Sequence, residues 1–203
     1  GVRLQEFAEI KNGCLNSSNS GYETELEGVL EAINEQEIYS PQELSKFFWD
    51  MFIADALIGN FDRHNGNWGF LFNDYTLQVK LAPIYDCGSC LYPQMDDELM
   101  KTVLQDENEL LNRIYVFPNS ALKLNGNKIN YYTFINSCGD KACNAALLRI
   151  YPKIDMNQIY DIIEATPFIS ELQKRFYKTC ITRRYELILT PAYSQLQSLK
   201  EME

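Results

Sequence analysis

Histidine is almost missing from this sequence: the 203 residues contain one, His64. With a single histidine and no nucleophile elbow, a Ser-His-Asp hydrolase is unsupported. Metal-site spacing is equally thin among the six cysteines. Cys87-Gly88-Ser89-Cys90 has C-x-x-C spacing, and Cys138 and Cys143 form a looser pair, but structural zinc needs four ligands, usually from two tight pairs. No thioredoxin-like βαβ pattern surrounds the C-x-x-C, so reduced thiols are expected. Positive charge is scarce, with 18 Lys and Arg against 28 Asp and Glu, a net charge of -10 and a pI near 4.7. That balance argues against direct nucleic-acid or anionic-membrane binding. A local basic face is the remaining alternative, for instance around Lys174-Arg175 and Arg183-Arg184. No apolar run approaches the roughly 20 residues of a membrane span, and no signal-peptide pattern is present, so a cytoplasmic protein is expected. Repeats, linkers and low-complexity segments are absent too, which predicts one domain over 1–203.

What is present is a globular composition, 46% hydrophobic and 23% charged. Residues 2–10 mix apolar and charged positions without a period, leaving helix and strand open. Residues 16–21 read as a polar loop and helix entry, followed by an amphipathic helix over 22–35 through Leu26, Val29, Leu30 and Ile33. Ser40, Pro41 and Glu43 form a helix start, with Ser40 and Glu43 in capping-box spacing. Leu44, Phe47, Phe48, Met51, Phe52, Leu57 and Ile58 then make a broad apolar arc that Gly59-Asn60 ends. This is the expected central buried helix. Two strands over 68–72 and 77–82 follow, joined at residues 73–76. Helices are predicted within 96–115 with Asp106 as a cap, and over 131–137, 141–151 and 157–165. Asn125-Gly126-Asn127 marks a small hairpin. Thr166-Pro167 is expected to open a long helix that Pro191 ends or kinks, leaving a polar tail. The predicted class is mainly α with a small β-hairpin.

The chemistry concentrates between Ala54 and Gly88. Asp62 and Asn67 stand in D-x-x-x-x-N spacing, that of a kinase catalytic loop, and Asp86-Cys87-Gly88 follows where a kinase carries D-F-G. The hairpin between them carries the chain out and back, so Asp86 can return towards Asp62. Phosphoryl transfer asks for positioned groups and neutralised charge. Asp62 suits the carboxylate that accepts the acceptor hydroxyl's proton. Asn67 and Asp86 offer the hard oxygen ligands that magnesium takes while it bridges the phosphates of ATP. His64 is read as orienting the loop, Arg63 as a surface or loop-bracing side chain, and Tyr85 as a packing aromatic. An ordinary polar loop and a strand-end turn are the alternative for the same residues.

The run IGNFDRHNGNWGFL with LAPIYDCGS resembles the C-terminal lobe of HipA-like serine/threonine protein kinases, which carry I-G-N-x-D-x-H-x-x-N before a hairpin and A-P-x-Y-D after it. The match covers 58–89. The resemblance implies a protein-kinase-like C-lobe, with the catalytic loop and metal-binding segment at 58–90 and a helical remainder at 95–203. It implies Asp62 as catalytic aspartate, His64 as a structural member of the motif, and Asn67 and Asp86 as magnesium and nucleotide ligands. It also implies ATP and magnesium as cofactors, a protein substrate and an antitoxin-type partner. D-R-H-x-x-N resembles phosphoinositide kinases as well, and a non-catalytic domain that kept the lobe's shape is a further alternative. The departure lies upstream: before Asp62 there is no Gly-rich loop, and the only lysines are Lys11 and Lys46. The N-lobe is therefore expected to be absent, and the chain is expected to bind ATP weakly and transfer phosphate poorly alone.

Overall fold

The computed structural model describes residues 1–14 and 21–201. The predicted polar loop falls almost wholly outside them. The undecided N-terminal stretch is both things in turn: strand β1 (Val2–Glu6) runs directly into helix α1 (Phe7–Cys14). β1 pairs antiparallel with β2 (Gly69–Asn73), which pairs with β3 (Val79–Leu81), so the expected hairpin is a three-stranded sheet. The added strand lies 63 to 71 positions from its partners, in the register Val2 to Asn73 through Glu6 to Gly69, and only tertiary contact makes it a strand. Leu77 is not part of the strand expected over 77–82. It sits in the turn at φ 54 and is 80% exposed, while Asn73 Oδ1 accepts the amides of Tyr75 and Thr76.

Helix α2 (Leu26–Glu35) begins four residues later than its periodicity predicts. Thr24 is held extended instead: its carbonyl accepts the Lys123 amide at 2.8 Å and its hydroxyl donates to the Ala121 carbonyl at 2.7 Å. A neighbouring strand outbids the local helical preference. Helix α3 (Pro41–Ile58) is the central helix. Ser40 Oγ accepts the Glu43 amide at 3.4 Å, and Pro41 fills the first turn where no amide partner is needed. The return arm of the expected capping box is not made; Ser40 Oγ donates to Gln42 instead. Gly59 closes the helix at φ 67, a left-handed conformation that costs glycine little. Phe48, Trp49, Met51, Phe52, Ile53 and Ala56 are buried around the axis, so α3 has protein on nearly every side.

The remainder is helical apart from one small hairpin. α4 (Asp97–Gln105) and α5 (Glu107–Tyr115) meet at Asp106, whose carboxylate caps the second by accepting from the amides of Asn108 and Glu109. β4 (Lys123–Leu124) and β5 (Asn127–Lys128) turn through Asn125 and Gly126, both at positive φ. α6 (Tyr131–Asn136), α7 (Lys141–Ile150) and α8 (Met156–Ala165) follow. α7 packs on α3, and Arg149 Nη2 meets Asp50 Oδ1 across that contact at 2.5 Å. A second apolar cluster of Tyr92, Met100, Val103, Leu110, Phe176 and Cys180 joins α4 and α5 to α9 (Glu171–Arg184).

α9 starts at Ser170, not at Thr166-Pro167: Ser170 and Gln173 form a complete capping box, and reciprocal side-chain bonds outweigh proline's preference for a first turn. Pro191 does not end the helix either. Residues Tyr185–Leu189 form a π turn in which the Thr190 amide reaches back five residues to the Tyr185 carbonyl, and α10 (Thr190–Glu201) continues beyond it. Proline has no amide to donate, and the wider turn absorbs it without breaking the rod. Ile188, Leu189, Ala192 and Leu196 hold this stretch on the core, at about 1.5–3 kcal/mol for each fully buried large aliphatic side chain. The expected polar tail is therefore helix as far as Glu201.

The backbones of β1 and β2 come together closely at Gly69. A Cβ there would collide with the Gln5 carbonyl oxygen and lie 3.0 Å from the Phe7 nitrogen. Gly69→Ala is expected to cost about 1–3 kcal/mol in urea unfolding, through overpacking. An unchanged midpoint would show that the first strand is dispensable.

Candidate functional site

The site is built where α3 stops. Gly59 turns the chain out of the helix, and residues 60–68 form a loop held by side chains rather than by repetitive backbone bonding. Its centre is a buried ion pair. Asp55, 2% exposed on the last turn of α3, receives Arg63 Nε at 3.0 Å on Oδ2 and Arg63 Nη2 at 3.1 Å on Oδ1. Asn60 Nδ2 adds a third donor to Oδ1 at 2.9 Å. Burial by itself disfavours the arginine cation, but the hydrogen bonds and charge of Asp55 outweigh it and raise the Arg63 pKa above the ordinary arginine value. Burial pushes the Asp55 carboxyl up, while Arg63 and Asn60 pull it down. All three of these partners are N–H donors, so an Asp55 hydroxyl would face donors only. The ionised pair is the state that satisfies the geometry.

Arg63 thus braces the loop from inside; it is 5% exposed, not a surface side chain. Its Nη1 donates to the Asn67 carbonyl at 2.6 Å and also to the Tyr85 carbonyl, and Nη2 reaches Cys87 Sγ at 3.5 Å. One guanidinium therefore ties the loop that carries Asp62 and Asn67 to the segment that carries Asp86. The distant segment returns because this cation collects its backbone.

Each predicted residue has a definite place. Asp62 is exposed at the loop's outer edge, with its amide on Asn60 Oδ1 at 3.0 Å. Asn67 is buried, and its Nδ2 donates to the Asp62 carbonyl at 2.8 Å, which leaves its Oδ1 as the end available to a ligand. His64 is half-buried; its Nδ1 accepts the Gly66 amide at 3.0 Å and its carbonyl accepts the Asn67 amide at 2.9 Å. Asp86 is exposed and has φ 51, a left-handed conformation unusual for a residue with a side chain. Tyr85 does more than pack: its hydroxyl donates to the Gly66 carbonyl at 3.1 Å, and burial, then the charge of Glu6, push its pKa up to about 12.

The sheet holds the loop from the other side. The amides of Phe7 and Ala8 donate to the carbonyls of Trp68 and Asn65, both at 2.9 Å, and the Phe7 and Trp68 rings stack at 4.0 Å. Asn65 Nδ2 is shared between the carbonyls of Gly21 and Glu23, at 2.8 Å each. Beyond Asp86, the Leu91 amide returns to the Ile58 carbonyl at 3.1 Å, so the chain leaves the site along the end of α3. Asp55 escaped sequence reading, although an acid inside the apolar run FIADALI was a usable signal.

Among the described residues no group of three His, Cys, Asp or Glu is placed to hold a metal. The Asn67 amide oxygen and the Asp86 carboxylate are a different donor set, hard oxygens of the kind that could hold magnesium, which keeps several waters. The six cysteines are all free thiols. No helix among the described residues is long and apolar enough to cross a membrane.

This frame, a loop locked beneath a capped central helix and sewn to an acidic segment after a hairpin, has clear counterparts. Residues 11–166 match the HipA-like C-terminal domain, and the chain belongs to that family. It is 50% identical over 193 residues to "Serine/threonine-protein kinase CtkA" of Helicobacter pylori, covering 95% of this chain and 59% of that relative. It spans, in other words, well under two thirds of that relative's length. The crystal structure of the proinflammatory kinase CtkA of Helicobacter pylori superposes with a TM-score of 0.95 at 48% identity, covering 98% of this chain and 73% of the solved one.

Asp55→Ala would leave the Arg63 cation buried without its counter-charge. It is expected to cost about 3–5 kcal/mol in chemical unfolding, whereas exposed ion pairs are worth about 0–1 kcal/mol. A loss below 1 kcal/mol would mean that the pair does not hold the loop.

Proposed function

We propose that this chain is the catalytic lobe of an ATP- and magnesium-dependent serine/threonine protein kinase. The observation that carries the reading is the Arg63 clamp, which holds the Asn67 carbonyl and the Tyr85 carbonyl on one guanidinium and so keeps three oxygen-bearing side chains on one structural frame. The 50% identity to a protein named a serine/threonine kinase supports it.

Asp62 is the base. Its carboxylate takes the proton of the acceptor serine or threonine hydroxyl as that oxygen forms its bond to the γ-phosphorus, and it is exposed where a protein substrate can reach it. Asn67 Oδ1 and the Asp86 carboxylate hold the metal; when bound, magnesium neutralises phosphate charge. His64 is a positioning residue in this mechanism. With Nδ1 accepting from Gly66, it fixes the turn between Asp62 and Asn67. Gly66 has no room for a side chain there, because a Cβ would lie 2.8 Å from Tyr22, 2.9 Å from His64 and 3.0 Å from Glu6.

The phosphate-contacting lysine is not among the lysines before Asp62. Lys11 is buried, its Nζ donates to the Glu23 carbonyl at 3.1 Å, and burial lowers its pKa. Lys46 is exposed on α3, away from any strand. We therefore propose that this chain alone binds Mg-ATP weakly and transfers phosphate poorly, and that full activity needs an N-terminal lobe.

In a longer protein that includes this lobe, Asp62→Asn and Asp86→Asn are each expected to reduce phosphate transfer from Mg-ATP by at least about 100-fold, the scale of general-base and electrostatic groups. Both side chains are exposed, so circular dichroism should be unchanged. Activity retained in both variants would refute these roles and favour a non-catalytic lobe. Calorimetric titration of Mg-ATP into the 203-residue chain checks the affinity. Tight binding lost in Asp86→Asn would show that the chain completes its own nucleotide pocket.

A further inference from the structure

Beside Asp62 the surface opens into a pocket of about 160 Å³, lined by Phe61, Tyr92, Met95, Leu99, Arg113 and Phe117 among others. Its size sorts the candidates for its occupant. Sites for drug-sized ligands span about 300–1,000 Å³, so a nucleotide is too large. A dry apolar cavity of about 150 Å³ takes one benzene ring, which is the scale of a single apolar side chain. The walls are mainly apolar, and Leu99 and Phe117 remain 39% and 41% exposed, leaving apolar surface open at the site. The one charged wall residue is Arg113, whose Nη2 already faces Glu109 on the same helix at 3.8 Å.

The pocket is a built feature. Leu91 and Tyr92 are consecutive left-handed residues, at φ 55 and 59, a conformation that side-chain-bearing residues rarely adopt. Two anchors hold that turn in place. The Leu91 amide binds the Ile58 carbonyl, and the Tyr92 hydroxyl reaches the carbonyls of Arg113 and Phe117, the latter at 3.3 Å. Phe61, whose ring meets Phe117 at 5.7 Å, is the immediate neighbour of Asp62 in the chain. One wall of the pocket is therefore joined covalently to the proposed base.

We infer that this pocket is a substrate-specificity site: it takes one large apolar side chain, Leu-, Met- or Phe-sized, from the protein segment whose serine or threonine is presented to Asp62. The assignment of the occupant rests on the kinase reading above; the apolar subsite itself does not.

Met95 lines the pocket and provides a probe that needs no activity. The chain, carrying ¹³C in the methyls of its five methionines, is titrated with two serine peptides identical except that leucine or alanine flanks the serine. The leucine peptide is expected to shift the Met95 methyl saturably. The alanine peptide should bind at least about tenfold more weakly, since burying a leucine side chain is worth about 1.5–3 kcal/mol. Leu99→Asp, at a partly exposed position on α4, is expected to abolish the Met95 shift. A Met95 signal that stays still, moves equally with both peptides, or survives Leu99→Asp overturns the pocket. In a second arm, a longer protein containing this lobe phosphorylates both peptides, with the leucine peptide favoured at least about tenfold in kcat/KM and the preference lost in Leu99→Asp. Equal use of the two peptides overturns the specificity role and leaves the kinase reading standing. No transfer to any peptide, with the Met95 shift intact, overturns the kinase reading and leaves an apolar peptide subsite.

Discussion

The rest of the site depends on the ion pair between Asp55 and Arg63. A carboxylate and a guanidinium have both been taken out of water at the end of the central helix, and neither could be there without the other. Such a pair is not an efficient source of stability, because desolvation consumes most of its Coulombic gain. What it provides is direction. A guanidinium has five N–H donors in a fixed plane, and after two of them meet Asp55 the others point in directions that the helix has already set. Those directions meet the Asn67 and Tyr85 carbonyls. The proposed metal ligands are thus placed by a residue that bears no ligand itself. Lysine, a point charge on a flexible stem, could not replace it.

The pair works because both ends of the loop are also fixed. Gly59 and Asn60 stop the helix at a definite residue, and the Tyr131 hydroxyl donates to the Asn60 carbonyl at 2.6 Å from the helical side. On the sheet side, Phe7, Ala8 and Asn65 join the loop to the first strand and to residues 21 and 23. The exposed residues Asp62 and Asp86 have no such bonding to their side chains among the described contacts; the Asp62 backbone is held on both sides, and the segment before Asp86 is held through the Tyr85 carbonyl. A braced loop below the surface with exposed carboxylates at it is the arrangement that the proposed chemistry needs.

Local chemistry was legible in the sequence, and long-range chemistry was not. Ser40-Pro41, Gly59, Asp106 and Asn125-Gly126 act within four residues of themselves, and each does in the structure what its type implies. Asp62, Asn67 and Asp86 were visible as a spacing, and the family's recurring motif added weight to them. The first strand was not visible, because Val2–Glu6 becomes a strand only when β2 supplies its partner. Thr24 was read as helix for the converse reason, its partner Lys123 being far along the chain. Asp55 is legible only as an acid inside an apolar run; that its partner is Arg63 depends on how the loop folds back. The helix continues past Pro191 because the turn preceding it is wider than an α-helical one.

The left-handed backbone at Asp86 sets a rule about the amino-acid alphabet at that position. The proposed metal-binding role asks for a carboxylate, which admits aspartate and glutamate. The backbone asks for a residue that tolerates positive φ, which favours glycine, asparagine and aspartate. The two filters are independent, one set by charge and the other by sterics, and aspartate alone passes both. Glutamate keeps the charge and strains the turn; asparagine keeps the turn and drops the charge. Position 86 is therefore a place where the proposed metal-binding role and the backbone specify the same letter for unrelated reasons.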